Sequence, residues 1–150
     1  MSSTFTLREE ISSVRQYLNR EMLPLNGKVK NEFYMDPEVD EGIPIPRNLI
    51  RVFVEDVIRN GIQNEHPEAT ISISLQKSTL GILIMVADSG FRNGNGDSIG
   101  QHQSEGLRIL SSYLPVFNRK HHVSISYKVL KLTSENGSPG NRVMITIKNQ

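Results

Sequence analysis

The apolar residues of the chain first recur with the period of a helix. One stripe has intervals of three and four residues, and its members are Leu7, Ile11, Val14, Leu18 and Met22. Thr6 stands just before this stripe and Glu9 follows three residues later, which is the spacing of a capping box. Pro24 and the Asn26-Gly27 pair interrupt the pattern, so the sequence predicts a first helix that ends before them.

Two further stretches have helical periodicity. The first has a broad apolar face that should be buried, formed by Leu49, Ile50, Phe53, Val54, Val57, Ile58 and Ile62. Pro46 is well placed near the start of this second helix. Leu107, Leu110 and Leu114 indicate a third helix, which Pro115 is expected to close.

The remaining apolar segments have the character of strands. "KVKNEFYMD" is one, and "ATISISL" and "GILIMVA" are joined by a short turn at residues 78–81, as in a hairpin. "HVSISYKVLKL" alternates cleanly, and "RVMITIK" follows the turn segment "ENGSPGN". This order of elements predicts an α+β fold: a two-layer sandwich of a mixed, mostly antiparallel sheet with helices on one face.

The composition narrows the possible functions. The chain has 150 residues, which suits a single domain. Its net charge of +1 gives no excess of positive charge for binding nucleic acid. It contains no cysteine, which excludes disulfides, thiolate metal sites and cysteine nucleophiles. No apolar run is long enough to span a bilayer and no signal peptide follows Met1. The chain should be soluble as it stands, although it could be a piece of a larger membrane protein.

A group of polar residues interrupts the apolar pattern of the second helix. It consists of Glu55, Asp56, Arg59 and Asn60, of which Asp56 and Asn60 share a helical face. Oxygen ligands beside a guanidinium are suited to a magnesium–polyphosphate group. The alternative is an ordinary solvated stripe.

A second candidate lies where a buried strand ends. Asp88 at this position could accept a hydrogen bond from an exocyclic amine such as that of adenine, and Gly90 would allow a flat ring to approach closely. Asp-Ser-Gly is also ordinary turn sequence, so both interpretations stay open. Further along, Gly106 opens a helix whose free N–H groups could hold phosphate oxygens.

The order of these pieces resembles the ATP-binding domain of sensor histidine kinases, in the superfamily that also contains gyrase, MutL and a heat-shock chaperone. Among these kinases, the class that pairs with LytTR-type response regulators is the most similar to this sequence. The residues that carry this similarity are Ile45-Pro46 and "VEDVIRNG". "LREEISSVRQYLNREML" resembles the linker helix of that class. The resemblance therefore implies a linker helix from a dimerisation region at residues 1–24 and an ATP-binding domain at residues 25–150.

The resemblance also implies roles for single residues. Glu55 would be the acidic residue that helps to organise magnesium and water, and Asp56 would take the place of the magnesium-binding asparagine. Arg59 would face phosphate, and Asp88 would hold the adenine amine with Gly90 beneath the ring. The implied cofactors are ATP and Mg²⁺.

Two more correspondences concern the ATP lid and the position of the magnesium ligand. Residues 91 to 105 would form the mobile ATP lid, and Gly106-Leu107 would match the end of the second glycine box. A shift of one helical turn would make Asn60 the magnesium ligand in place of Asp56. We prefer Asp56, because Glu55 and the upstream Ile-Pro then fit together.

The sequence also departs from the pattern of these kinases. Asp56 replaces asparagine, Arg92 stands where a glycine is usual, Ser104 replaces the leading glycine of the second box and Ile109 replaces a common asparagine. A Cβ where phosphate approaches the backbone can weaken binding. The resemblance thus leaves open a degenerate, non-catalytic module used for protein binding or regulation. A serine kinase of the anti-sigma type shares the fold and is the third alternative.

No phosphoacceptor sequence occurs in the chain, and His66 lies in the predicted loop "NEHPEA". The kinase interpretation therefore implies transfer of the ATP γ-phosphoryl group to a histidine outside this chain. It implies as partners the protein's own dimerisation and phosphoacceptor domain, a response regulator and a second copy in the full-length dimer, and no nucleic acid. The location implied is the cytoplasmic part of an inner-membrane sensor.

Overall fold

The computed structural model describes residues 5–22, 29–62, 69–89, 104–133 and 139–149. The helices are α1 (Leu7–Met22), α2 (Arg51–Ile62) and α3 (Glu105–His121). The strands are β1 (Val29–Met35), β2 (Ala69–Ser78), β3 (Gly81–Ser89), β4 (Val123–Thr133) and β5 (Pro139–Asn149).

The five strands form one mixed sheet with the order β1-β2-β3-β5-β4. β1 runs parallel to β2, and the other neighbouring strands are antiparallel. β2 and β3 form the predicted hairpin, with Ser78 opposite Gly81. A Cβ on Gly81 would collide with the Ile147 carbonyl oxygen of β5, so this close approach requires glycine.

The core lies on one face of the sheet, where all three helices cover it. Alternate strand residues point into this core because side chains in a strand alternate between faces. The buried apolar residues of the strands are Ile71, Ile73, Leu75, Ile82, Ile84, Val86, Ile125, Val143, Ile145 and Ile147. The predicted two-layer α+β sandwich is confirmed.

The start of α1 has the predicted capping box. The Thr6 hydroxyl accepts a hydrogen bond from the Glu9 N–H at 3.3 Å, and the Glu9 carboxylate accepts one from the Thr6 N–H at 3.1 Å. The segment before α1 also pairs with the loop that leads to α2, since the Ile45 N–H donates to the Phe5 carbonyl at 2.9 Å. These contacts place the first turn of α1 beside the start of α2.

The prediction that Pro115 closes the third helix is wrong. α3 continues through Pro115 to His121, and His122 ends it in a left-handed conformation with φ 54°. Leu114 and Phe117 are buried on either side of the proline, which is itself exposed. Because the burial of this face stabilises both halves of the helix, the backbone hydrogen bond that proline lacks does not end it.

Two boundaries also differ from the sequence pattern. Pro46 is followed by a turn at residues 47–50, and α2 begins only after this turn. β5 begins at Pro139, inside the segment predicted as a turn, because it continues its pairing with β4 as far as Thr133. The preceding residues 134–138 lie outside the described part of the chain.

Candidate functional site

The polar residues of α2 lie at different depths in the structure. Asp56 is only 6% exposed, whereas Glu55 is half-buried and Arg59 is exposed. The difference follows from helical geometry, since neighbouring residues are rotated by about 100° around the axis. Asp56 shares the inward face with core residues such as Val52 and Phe53. A buried carboxylate in a core-facing position is unusual and requires a polar partner.

Ser104 is that partner, and it lies at the beginning of α3. Its hydroxyl donates a hydrogen bond to the Asp56 carboxylate at 3.3 Å and accepts one from the Leu107 N–H at 3.1 Å. Ser104 is therefore both the N-cap of α3 and the link between α3 and α2. This link joins two segments that the sequence places on opposite sides of the glycine-rich stretch.

The surroundings of Asp56 change its acidity. Burial raises the pKa of Asp56 above its ordinary value and is the largest cause. The hydrogen bond from Ser104 and the positive charge of Arg59 act in the opposite direction, while the negative charge of Glu55 raises the pKa further. Glu55, Asp56 and Arg59 therefore form one electrostatic group on α2.

Glu55 forms an ion pair at the junction of α1 and α2. Arg51 donates to the Glu55 carboxylate through Nε at 2.6 Å. Its Nη1 also donates to the Ser13 hydroxyl of α1 at 3.0 Å, and its guanidinium lies 5.0 Å from the centre of the Tyr17 ring. The proposed catalytic carboxylate is thus held by an arginine that α1 holds in turn.

Asp88 lies near the end of β3, as the sequence predicts. It is 7% exposed, and it stands opposite Ile71 of β2 and Asn141 of β5. Because buried Ile84 and Val86 precede it at alternate positions, Asp88 continues the core face of the strand. Its carboxylate is therefore at the edge of the helix-covered layer, immediately before the glycine-rich stretch.

Gly106 and Leu107 have structural roles at the start of α3. A Cβ on Gly106 would lie 3.1 Å from the Cγ2 atom of Val52, so glycine allows α3 to pack closely on α2. Leu107 is buried in the core, and its N–H is already bound by Ser104. In this conformation the Leu107 N–H is used for capping.

Several expectations fall outside the described residues. Gly90 and the proposed lid up to residue 103 are among them, as is the side chain of Asn60, although its backbone belongs to α2. The choice between Asp56 and Asn60 as the magnesium ligand therefore stays a prediction.

The Asp56 carboxylate provides oxygen ligands of the kind that Mg²⁺ prefers. Across the described ranges, no group of three or more His, Cys, Asp or Glu side chains could enclose a metal ion. Magnesium does not need such a group, because proteins commonly hold it with one or two carboxylates while phosphates and water complete its shell. Asp56 on α2 fits this mode of binding, whereas the Glu55 carboxylate is held at the junction with α1 by Arg51.

Glu10 was missed in the sequence interpretation, although it is fully buried in the structure. Its carboxylate accepts hydrogen bonds from the N–H groups of Asn48 at 3.0 Å, Ile50 at 2.8 Å and Arg51 at 2.9 Å. Burial raises the pKa of Glu10, and these three hydrogen bonds oppose the shift. The signal was present in the sequence, because a carboxylate at position 10 falls within the apolar stripe of the first helix.

Comparison with solved structures shows that this architecture is that of histidine kinase catalytic domains. The catalytic domain of the histidine kinase ThkA is similar over 99% of both chains, with a TM-score of 0.55 and 17% identity. The mycobacterial sensor histidine kinase MprB is similar over 100% of both chains, with a TM-score of 0.55 and 12% identity. ThkA in complex with the response regulator protein TrrA covers 98% of this chain, which spans 42% of that one, with a TM-score of 0.52 and 17% identity. The identities are low, so these likenesses show the fold.

No protein-family model matches the sequence, and no curated protein matches it. Among the helices in the described part of the chain, none is both long enough and apolar enough to cross a membrane.

Proposed function

We propose that this chain is the ATP-binding catalytic domain of a two-component sensor histidine kinase. It would transfer the γ-phosphoryl group of ATP to a histidine outside the chain. The observation that carries this proposal is the likeness of the fold to histidine kinase catalytic domains, which extends over 99% of this chain for ThkA. Within this fold, the hydrogen bond between Asp56 and Ser104 joins the helix with the proposed magnesium and phosphate residues to the start of the helix that follows the glycine-rich stretch.

The roles proposed for single residues are those that the resemblance implies, and the positions of Asp88 and Arg59 support them. Asp88, buried at the end of β3, would accept a hydrogen bond from the adenine amine, and Gly90 would lie beneath the ring. Asp56, or Asn60 in the alternative register, would hold Mg²⁺. Arg59 is exposed on the same helix and would neutralise phosphate charge.

Phosphoryl transfer requires mainly positioning and charge stabilisation from the protein. Mg²⁺, when bound, supplies positive charge to the phosphate oxygens. Glu55 would help to organise magnesium and water, while its ion pair with Arg51 holds the carboxylate in one orientation. The resemblance supports this role for Glu55.

The partners belong to the same proposal. The ThkA structure with TrrA supports a response regulator as a partner, and we propose the LytTR-associated class for it. We further propose that residues 1–24, which include α1, link this domain to its own dimerisation and phosphoacceptor domain. The parent protein would be a homodimeric inner-membrane sensor with this domain in the cytoplasm.

A second candidate function is a degenerate module that binds a partner without turnover. Two observations favour it. Glu55 is already paired with Arg51, and the sequence has Arg92 where a glycine is usual. In that case the Asp56–Ser104 contact would only join two helices.

Titration with a fluorescent trinitrophenyl-ATP, with and without Mg²⁺, separates the two functions. The kinase proposal expects saturable binding by the 150-residue chain that is stronger with Mg²⁺ and is lost in Asp88→Ala. Asp40→Ala, an exposed aspartate in the loop before α2, is the matched control and should bind normally. If the wild-type chain does not bind at millimolar nucleotide, the kinase proposal fails for this domain.

A further inference from the structure

We propose that Glu10 is a positioning residue for the nucleotide site, through which α1 sets the placement of α2. The inference rests on the proposed function, because it concerns the same site. It extends that function by assigning a role in nucleotide binding to a helix outside the site. Glu10 would act through α2 and would not contact the nucleotide.

The first observation is the three-fold contact of the Glu10 carboxylate. Oε1 accepts from the Asn48 N–H at 3.0 Å, and Oε2 accepts from the N–H groups of Ile50 at 2.8 Å and Arg51 at 2.9 Å. The first N–H groups of any helix lack partners within that helix. Here a residue about forty positions earlier supplies the partner, so the start of α2 is anchored by another helix.

The second observation concerns the charge at the start of α2. The preceding turn supplies backbone acceptors for the N–H groups of Val52, Phe53 and Val54, but no acidic residue occurs in the first turn of α2. Asn48, just before it, adopts a left-handed conformation with φ 68°. Glu10 is therefore the negative charge that complements the positive end of α2. Its removal would leave three N–H groups without this acceptor, one of them buried and two partly buried, and the first turn would shift or loosen.

A second tie runs along the same side of α1. Ser13 and Tyr17 follow Glu10 at helical spacing, and both contact the guanidinium of Arg51. Arg51 in turn holds the Glu55 carboxylate at 2.6 Å. One side of α1 thus fixes both the backbone at the start of α2 and the side chain of the proposed catalytic residue.

The start of α1 is itself held in place. The Arg8 N–H donates to the Glu41 carbonyl at 2.9 Å, and the Ile45 N–H donates to the Phe5 carbonyl at 2.9 Å. Glu10 lies in the first turn of α1, directly after the residues that pair with this loop. Sites for phosphate and metal require placement to within about 0.5 Å, so a displacement of α2 relative to Asp88 would weaken nucleotide binding.

The test compares Glu10→Gln with wild type in the 150-residue chain. Glutamine has nearly the same shape but can place only one oxygen toward the three N–H groups. We expect binding of trinitrophenyl-ATP with Mg²⁺ to weaken about tenfold. Hydrogen exchange at the amides of Asn48, Ile50 and Arg51 should become faster. The second readout reports the anchoring directly and needs no nucleotide.

Two controls separate positioning from a general loss of stability. Glu9→Ala removes the neighbouring carboxylate, which caps α1 and not α2. This variant should bind nucleotide with an affinity within about twofold of wild type. Leu114→Ala lowers stability in the core at α3 and, measured well below its melting temperature, should bind nucleotide normally. Should Glu10→Gln fail to fold, Ser13→Ala removes one of the two contacts between α1 and the Arg51 guanidinium and is expected to weaken binding about threefold. Unchanged binding in Ser13→Ala would then overturn the positioning role of α1.

The outcomes distinguish the two proposals. If wild type binds nucleotide and Glu10→Gln binds equally well, the positioning role is overturned and the proposed function stands. An equal loss of affinity in Leu114→Ala would also overturn it, because stability alone would then explain the effect. If wild type does not bind nucleotide at all, the proposed function fails, and the positioning role fails with it.

Discussion

The Ser104 hydroxyl donates a hydrogen bond to the Asp56 carboxylate at 3.3 Å, across 48 positions of sequence. Ser104 stands where the resemblance to sensor histidine kinases leads us to expect a glycine, so from the sequence alone it counts as a departure from their pattern. In the structure it caps α3 and provides a hydrogen-bond donor to a buried carboxylate. Serine at this position therefore makes an interaction that a glycine could not make.

Ser104→Ala should lower the free energy of unfolding by about 1 kcal/mol, because it removes the N-cap of α3 and the donor to Asp56. For a chain of this length we expect a melting temperature roughly 2–4 °C lower. Thermal unfolding followed by circular dichroism measures this change. Ser112→Ala, at an exposed position of the same helix, should leave the melting temperature nearly unchanged, and equal effects of the two substitutions would contradict the prediction.

Asp56→Asn should change the pH dependence of stability. Burial raises the pKa of Asp56 in the folded state above 3.8, so the native protein binds this proton more tightly than the unfolded chain does. The stability that this group contributes is present below pH 3.8 and is lost as the pH rises through the folded-state pKa. The asparagine side chain of the variant would not titrate, so its stability relative to wild type should increase over this interval.

Urea denaturation of both proteins, in steps from about pH 3 to about pH 7, measures this difference. Glu105→Gln, an exposed carboxylate in the first turn of α3, provides the comparison. A gap between Asp56→Asn and wild type that stays constant or narrows as the pH rises would show that burial does not dominate the titration of Asp56.

The effect of Gly106→Ala on the free energy of unfolding should depend on the size of residue 52. Alanine is favoured over glycine within a helix by about 1 kcal/mol, but the new methyl group would lie 3.1 Å from Cγ2 of buried Val52. We therefore expect Gly106→Ala to be more favourable in a Val52→Ala background than in wild type. A double-mutant cycle of unfolding free energies measures this coupling, and simple additivity would refute the close packing of α3 on α2.

Pro115→Ala should stabilise the protein. Proline within α3 lacks an N–H for the helix ladder, and alanine would restore it at an exposed position. The gain in unfolding free energy should be positive and at most about 3 kcal/mol, since this is the propensity difference in a helix interior. Chemical denaturation checks it, with Ser112→Ala as the control. A loss of stability would mean that α3 depends on the conformation that Pro115 imposes.

Local sequence signals predict much of this fold because their causes are local. The stripe from Leu7 to Met22 gives α1 with the bounds that its spacing indicates, and Thr6 and Glu9 form the capping box. The hairpin turn between Ser78 and Gly81 also follows from a few adjacent residues. These elements require only a period, a cap or a turn, all of which can be seen within one segment.

The prediction at Pro115 is wrong because the decisive interaction is not local. Proline disfavours a helix by removing one hydrogen bond, whereas Leu114 and Phe117 favour it by burial against the rest of the core. The size of that burial depends on the layer beneath α3. A single segment of sequence cannot show it.

The candidate site likewise combines features that follow from local sequence with features that depend on tertiary contacts. The sequence by itself determined the alternation that ends a buried strand at Asp88 and the helical spacing that puts Glu55 and Asp56 on α2. Only the tertiary structure decided that Asp56 meets Ser104, that Arg51 holds Glu55, and that Glu10 caps a helix about forty residues away. The physical reason is that a buried carboxylate must find hydrogen-bond donors, and in a compact fold those donors come from segments that are distant in sequence.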